Sequence, residues 1–297
     1  MEDGTGPPFV SGRMLRVLVT GWRGLLGGAM VREFEADPSA TVVGLDRRAL
    51  DITDEDAVLE AVGAHNPNLI VNCAVFNGVD RAEDESPQAL AVNAFGVQAL
   101  ARAANRVGAI LVHFSSDFVF DGEIDRPYTE QDRPNPRSVY GASKLLGDWF
   151  ALEYPRAYVL RVESVFGRPA ADPSKRGSLA TIVDRIEDGS EVPVFVDRVI
   201  SPTHAADVTR AVRTLLETSA PFGLYHCVNS GHATWAEIAE YVASVLGKPI
   251  RSKPMTLATS GLRAKRPRYC ALSNDKLVSA GVPMPPWRDA VREFLRP

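Results

Sequence analysis

Between residues 14 and 162 short apolar runs alternate with longer stretches of helical period, and no other feature restricts the fold of this chain as much. Residues 15–20, 41–45, 69–73, 109–114 and 158–162 are of strand length and mostly apolar, as strands buried on both faces require. Residues 25–34, 54–62, 87–107 and 138–153 repeat apolar side chains at helical spacing. The alternation predicts an α/β fold, a Rossmann-type doubly wound parallel sheet with ligands at the carboxyl ends of its strands. Beyond Gly167 the pattern loosens. Pro169, Pro173, Pro193 and Pro202 interrupt it, and longer loops separate the remaining helices. With 297 residues the chain exceeds what one ordinary core serves, so a smaller second domain is expected.

Composition narrows the partners. Hydrophobic residues at 45% and charged residues at 24% suit a folded globular chain rather than a disordered one. A net charge of −4 gives no general attraction to nucleic acid or anionic lipid, so neither is expected as a partner and a small molecule is. Cys73, Cys227 and Cys270 are odd in number and far apart, unlike a disulfide framework or zinc site, which suggests a reducing, cytoplasmic setting. No apolar run approaches the ~20 residues needed to span a bilayer. Residues 1–12, rich in Gly and Pro and without a signal-like apolar stretch, read as a flexible tail.

The first strand leads into Gly21-Trp22-Arg23-Gly24-Leu25-Leu26-Gly27. Its glycines permit a tight turn, backbone approach to a pyrophosphate and close packing of the following helix. Asp46-Arg47-Arg48 follows the second strand, where such a fold reads the adenosine ribose. An acid there favours a 2′-hydroxyl, whereas arginines, with Arg23 as a third cation, favour a 2′-phosphate. The balance leans to NADP(H), with NAD(H) as the other option. Asp51 and Ile52 are placed beside the adenine, and Cys73 and Ala74 along the dinucleotide crevice. This assigns residues 13–165 to a dinucleotide-binding domain. Residues 166–297 are assigned mainly to a substrate-binding domain, with segments that pack back on the first.

Tyr140-Gly141-Ala142-Ser143-Lys144 puts a phenol and an ammonium four positions apart, on one face of a helix that Ser138 would cap after Pro134 and Pro136. A free phenol titrates near 10, so drawing it to neutrality costs ~4 kcal/mol, and a lysine cation and a helix N-terminus both act in that direction. The spacing alone also fits a solvated helix. Ser115 and Ser116, closing the fourth strand, lie on the same sheet edge as the glycine loop, although serines there can simply cap a turn.

Together these segments resemble the extended short-chain dehydrogenase/reductase superfamily, and within it the dTDP-4-dehydrorhamnose reductase family. The likeness is carried by Leu50-Asp51-Ile52-Thr53-Asp54, Gly78-Val79-Asp80-Arg81-Ala82-Glu83, Val92-Asn93-Ala94, Ser115 through Gly122 and the Tyr140–Lys144 segment. Ser201-Pro202-Thr203, Gly223-Leu224-Tyr225-His226 and Lys265-Arg266-Pro267-Arg268 extend it. The resemblance implies a catalytic set of Ser116, Tyr140 and Lys144, with Asn93 added to the cofactor site. It implies substrate contacts from Val79, Ser116, Asp117, Phe118, Glu163, Ser164 and Arg266, the last within a basic stretch, residues 263–268, that would meet a diphosphate or stay solvated. The implied reaction is reduction of a nucleotide-linked 4-keto-sugar, with hydride from the nicotinamide and a proton from Tyr140. The family commonly has Thr and then Asp-Tyr where this chain has Ser116, Asp117 and Phe118. It commonly has Trp at Ser164 and Gln at Arg198, and Glu163 adds a further acid. These departures bear on which sugar is taken. Alternatives in the same fold are a sugar-nucleotide epimerase or dehydratase, and a non-catalytic NADP-binding subunit like the beta subunit of methionine adenosyltransferase. No metal site is expected from the spacing of the five histidines, and a homodimer is possible.

Overall fold

The computed structural model describes residues 14–169 and 177–296; the expected tail, residues 1–12, lies outside them. The first half runs β1 (Leu15–Thr20), α1 (Leu25–Glu35), β2 (Ala40–Leu45), α2 (Glu55–His65) and β3 (Leu69–Asn72). It continues through α3 (Val79–Asp84), α4 (Ser86–Leu90), a π-helical turn (Ala91–Phe95), α5 (Gly96–Val107), β4 (Ile110–Ser116), α6 (Val139–Leu152) and β5 (Ala157–Val162). The helix expected over 87–107 is therefore interrupted. The π turn turns Asn93 inward, where it accepts the Phe76 N–H at 2.8 Å and donates to Ser143 Oγ at 3.0 Å. Local signals place the other boundaries: Asp54 accepts the Ala57 N–H and caps α2, and Ser138 accepts the Gly141 N–H and caps α6.

The second half contains β6 (Val165–Phe166), α7 (Gly177–Glu187), β7 (Glu191–Phe195), β8 (Val199–Ile200), β9 (Thr203–His204) and α8 (Ala205–Glu217). After it come β10 (Gly223–His226), β11 (Ala233–Thr234), α9 (Trp235–Leu246), β12 (Arg251–Met255), α10 (Asp275–Ser279) and α11 (Trp287–Leu295). The central sheet has six parallel strands in the order β10-β5-β4-β3-β1-β2, so its sixth strand returns from beyond Gly167. Chain order reverses between β1 and β3, the point at which such sheets bind ligands beyond the carboxyl ends of their strands.

One face of the sheet packs Val17, Val19, Met30 and Phe34 against Val208, Val212 and Leu215 of α8. The other packs Leu18, Ile70, Leu111 and Val159 against Val58, Val62 and Leu100. A separate core joins Ile182, Val192, Ile238, Val242, Trp287 and Val291 under the second half. Among the described residues, no helix is long and apolar enough to cross a membrane.

Candidate active site

The glycine loop is built for a phosphate. Gly21 adopts φ +65, and a Cβ there would lie 2.7 Å from the Ala74 backbone nitrogen in the segment after β3. A Cβ on Gly27 would lie 2.5 Å from the Gly21 carbonyl oxygen, so α1 sits hard against the turn only because that position is bare. Gly24 caps α1 without a side-chain acceptor, leaving the first-turn N–H groups to an anion. Trp22 packs back against Gly44 of β2, while Leu25 and Leu26 are half-buried along α1. These residues fit the pyrophosphate of a dinucleotide.

Asp46 is occupied on both oxygens. It accepts the Arg48 and Ala49 N–H groups through Oδ1 and pairs with Arg23 Nε at 3.0 Å through Oδ2. Arg23 is thereby held at the end of β2, and the Arg47 and Arg48 side chains are exposed beside it. Arg47 reaches Asp51 Oδ2 at 3.3 Å, and Asp51 in turn accepts the Thr53 N–H. Ile52 is buried and packs where a Cβ on Gly96 would intrude, a role in the core that its proposed place beside adenine did not foresee.

Ser116, Tyr140 and Lys144 converge where β4 ends against α6. Ser116 Oγ donates to Asp117 Oδ1 at 2.8 Å and accepts the Phe118 N–H at 3.2 Å. Lys144 Nζ donates to the Phe114 carbonyl at 2.7 Å. The Tyr140 ring meets Phe118 edge-on at 5.4 Å. Burial raises the Tyr140 phenol, and the Asp117 charge adds to this; the Ser116 hydroxyl opposes it without reversing it. The sequence predicted the opposite net direction, with Lys144 drawing the phenol down. The ammonium is bonded to a backbone carbonyl, and burial lowers its own pKa to about 8. Burial therefore favours the protonated form of the Tyr140 phenol.

Asp148 lies one further turn along α6 and attracts Lys144, while its Oδ2 pairs with Arg161 Nε at 3.1 Å in a site closed to solvent. Sequence reasoning missed this pair, though Tyr140, Lys144 and Asp148 share the four-residue spacing of one helical face.

Of the residues expected to meet the substrate, Val79 packs in the small apolar group that contains Phe118 and Tyr140. Ser164 takes φ +44, a left-handed conformation unusual for a residue with a side chain. Arg266 is paired: its two terminal nitrogens meet the Asp80 oxygens at 2.8 and 3.1 Å, and Arg263 pairs with Asp84. Glu163 and Arg198, two of the departures noted in the sequence, are brought together with Asp117 and Cys270 in one buried group. His204, Asp207 and Glu293 also approach one another closely, a set the histidine spacing did not reveal; Arg210 pairs with both acids.

A parallel sheet with a phosphate-cradling turn after its first strand and a tyrosine and lysine one turn apart on α6 is the architecture of an extended short-chain dehydrogenase/reductase. The family model described as RmlD substrate binding domain matches residues 15–297. A dTDP-4-dehydrorhamnose reductase from Streptomyces griseus is 37% identical over 286 residues, 94% of this chain and 92% of that protein. A Streptomyces antibioticus protein named probable dTDP-4,6-dihydroxy-2-methyloxan-3-one 4-ketoreductase is 35% identical, with 94% of each chain covered. The crystal structure of dTDP-4-dehydrorhamnose reductase from Bacillus anthracis str. Ames, in complex with NADP, superposes with TM-score 0.87 at 32% identity, covering 94% of this chain and 98% of that one. This chain belongs to the dTDP-4-dehydrorhamnose reductase family, a family of oxidoreductases.

Proposed function

We propose that the protein reduces the ketone of a dTDP-linked 4-keto-sugar, using a nicotinamide cofactor with NADP(H) preferred. The observation that carries the chemistry is the convergence of Ser116, Tyr140 and Lys144 at the end of β4, on the sheet edge that also carries the glycine loop. When bound, the cofactor supplies the hydride. Tyr140 donates its proton to the oxygen that becomes the new hydroxyl, and its raised pKa keeps that proton available at neutral pH. Ser116 stabilises the developing negative charge once its hydroxyl swings from Asp117 to the substrate oxygen. Lys144 holds positive charge beneath the site and, through Phe114, ties α6 to β4. Arg23, Arg47 and Arg48 gather at the end of β2, where a 2′-phosphate on the adenosine ribose would compete with Asp46 and Asp51 for Arg23 and Arg47 and meet the exposed Arg48. In this reading residues 13–165, completed by α8 and β10, form the dinucleotide-binding part, and the core beneath α7, α9 and α11 forms most of the substrate-binding part.

The test is oxidation of NADPH and NADH, followed by absorbance, with dTDP-, UDP- and GDP-linked 4-keto-sugars. The expected outcome is stoichiometric oxidation with a dTDP sugar, faster with NADPH. Tyr140→Phe should lower turnover by roughly 10² to 10⁴ while leaving NADPH binding intact. Conversion of sugar without net cofactor oxidation would replace this reading with an epimerase or dehydratase.

A further inference from the structure

We propose that Asp148, braced by Arg161, is a positioning residue of the active site whose negative charge keeps Lys144 cationic and seated against β4. Its consequence for turnover rests on the reductase reading; its effect on Lys144 does not. Lys144 and Asp148 are one turn apart on the buried face of α6. Lys144 Nζ donates to the Phe114 carbonyl at 2.7 Å, which is a dipole and not a counter-charge. Among the described residues no carboxylate pairs with it directly, and a buried ammonium in that setting needs an anion nearby.

Arg161 fixes that anion. It reaches across from β5, its Nε 3.1 Å from Asp148 Oδ2, with both side chains at most 3% exposed. Its guanidinium lies 5.1 Å from the centre of the Phe120 ring, which holds its plane. A guanidinium does not give up its proton, so a neutral Asp148 would leave Arg161 as a buried charge without a counter-ion. Asp148 is therefore the ionised member, although burial by itself raises its carboxyl. Its other oxygen, Oδ1, is buried without a hydrogen-bond partner. One carboxylate thus serves two cations, Arg161 by contact and Lys144 through space.

The other groups nearby carry no charge near neutral pH. Those facing Lys144 are Asp148 and Tyr140 along α6, His113 from β4 and Cys73 after β3. Those facing Asp148 are Arg161 from β5 and, along α6, Lys144 and Tyr140. Burial holds His113 well below its ordinary value and Cys73 and Tyr140 above theirs, so all three are neutral. His226 of β10, which faces Arg161, is held neutral in the same way, its pKa lowered to about 3. Asp148 is left as the neighbour whose charge favours the ammonium. Burial lowers Lys144 and Asp148 opposes it, with a balance at about 8; loss of the Asp148 charge must move that titration down.

The experiment reads Lys144 first directly and then through turnover. The chain has six lysines, so a ¹³C-lysine NMR titration of the free protein can follow Lys144, assigned by its disappearance in Lys144→Arg. The signal should titrate near 8 in the wild type and at least about one pH unit lower in Asp148→Asn, while Asp148→Glu, which keeps the charge, should hold it near the wild-type value. Asp148→Asn strands Arg161 as an unpaired buried charge. The double variant Asp148→Asn with Arg161→Met removes both charges, is expected to stay folded and should show the same downward move. An unchanged Lys144 titration in either folded variant overturns the proposal. In NADPH oxidation with a dTDP-4-keto-sugar, the alkaline fall of kcat/KM should move down together with the NMR titration, so that the loss is largest above neutrality and shrinks in mild acid. A loss equal at every pH would show that the pair only braces α6 against β5, and overturns the positioning role. If the wild type oxidises NADPH with none of the sugar nucleotides, the reductase reading fails while the NMR arm still reports what Asp148 does to Lys144.

Discussion

Burial acts on Tyr140 and Lys144 in opposite directions, raising the phenol and lowering the ammonium, because each shift disfavours the charged form. The group that titrates first as pH rises is therefore the lysine, at about 8. We expect kcat/KM for the sugar to fall through that pH as the positive charge under the site is lost, while the phenol stays protonated. Lys144→Arg carries a charge that does not titrate, so its lower activity should lack this limb; a limb that persists in the variant would contradict the assignment. Stability moves the other way. Between about 8 and the usual 10.5 the unfolded lysine holds a proton that the folded one has lost, so this group's contribution improves as pH rises. That Ser116, Tyr140 and Lys144 gather at one sheet edge was legible in the order of the motifs. Their protonation was not, because desolvation sums over segments the spacing does not mention.

The seating of α6 shows how a helix is aimed. A Cβ on Gly141 would overlap the Phe118 carbonyl oxygen, and one on Gly147 would overlap the Asn93 carbonyl oxygen of the π turn. Both obstructions are backbone, so neither can rotate away. These two bare positions let α6 press against the turn that carries Ser116 and against the interrupted helix, bringing Tyr140 and Lys144 to the end of β4. Gly147→Ala should destabilise the protein by about 1–3 kcal/mol in urea unfolding and lower turnover, although the residue touches no catalytic group. Gly63 in α2 is exposed with open space where its Cβ would sit, so Gly63→Ala is the matched control and should stabilise by about 0.5–1 kcal/mol. Equal effects at the two positions would show that helix propensity, not close approach, governs Gly147. The strands and helices of the first half were readable from their period. The π turn was not, since its cause is a set of hydrogen bonds from Asn93 to residues 17 and 50 positions away.

The second half of the chain completes the first rather than standing beside it. Gly223-Leu224-Tyr225-His226 is too short and mixed to read as a strand in isolation, yet it pairs along β5 from Tyr158 to Arg161 and closes that edge of the sheet. Long-range ion pairs were equally hidden: Arg266 and Asp80 are 186 positions apart, and with Arg263 and Asp84 they strap the segment before Cys270 to α3. Val208, Val212, Leu215, Leu216 and Tyr225 are all buried in the core that also holds Val17, Met30 and Tyr158. Five side chains of this kind contribute ~10 kcal/mol when fully buried, comparable with the 5–15 kcal/mol that holds a whole domain folded. Residues 14–165 expressed alone would lose that contribution, leave β5 as an unpaired edge and uncover one face of the sheet. We therefore expect this fragment to show no cooperative urea transition and to bind a hydrophobic dye. The full chain should unfold with coincident fluorescence and circular-dichroism transitions, because α8 and β10 tie both halves to one core. A fragment that unfolds cooperatively and binds NADPH would instead show that the dinucleotide-binding part is complete before residue 166.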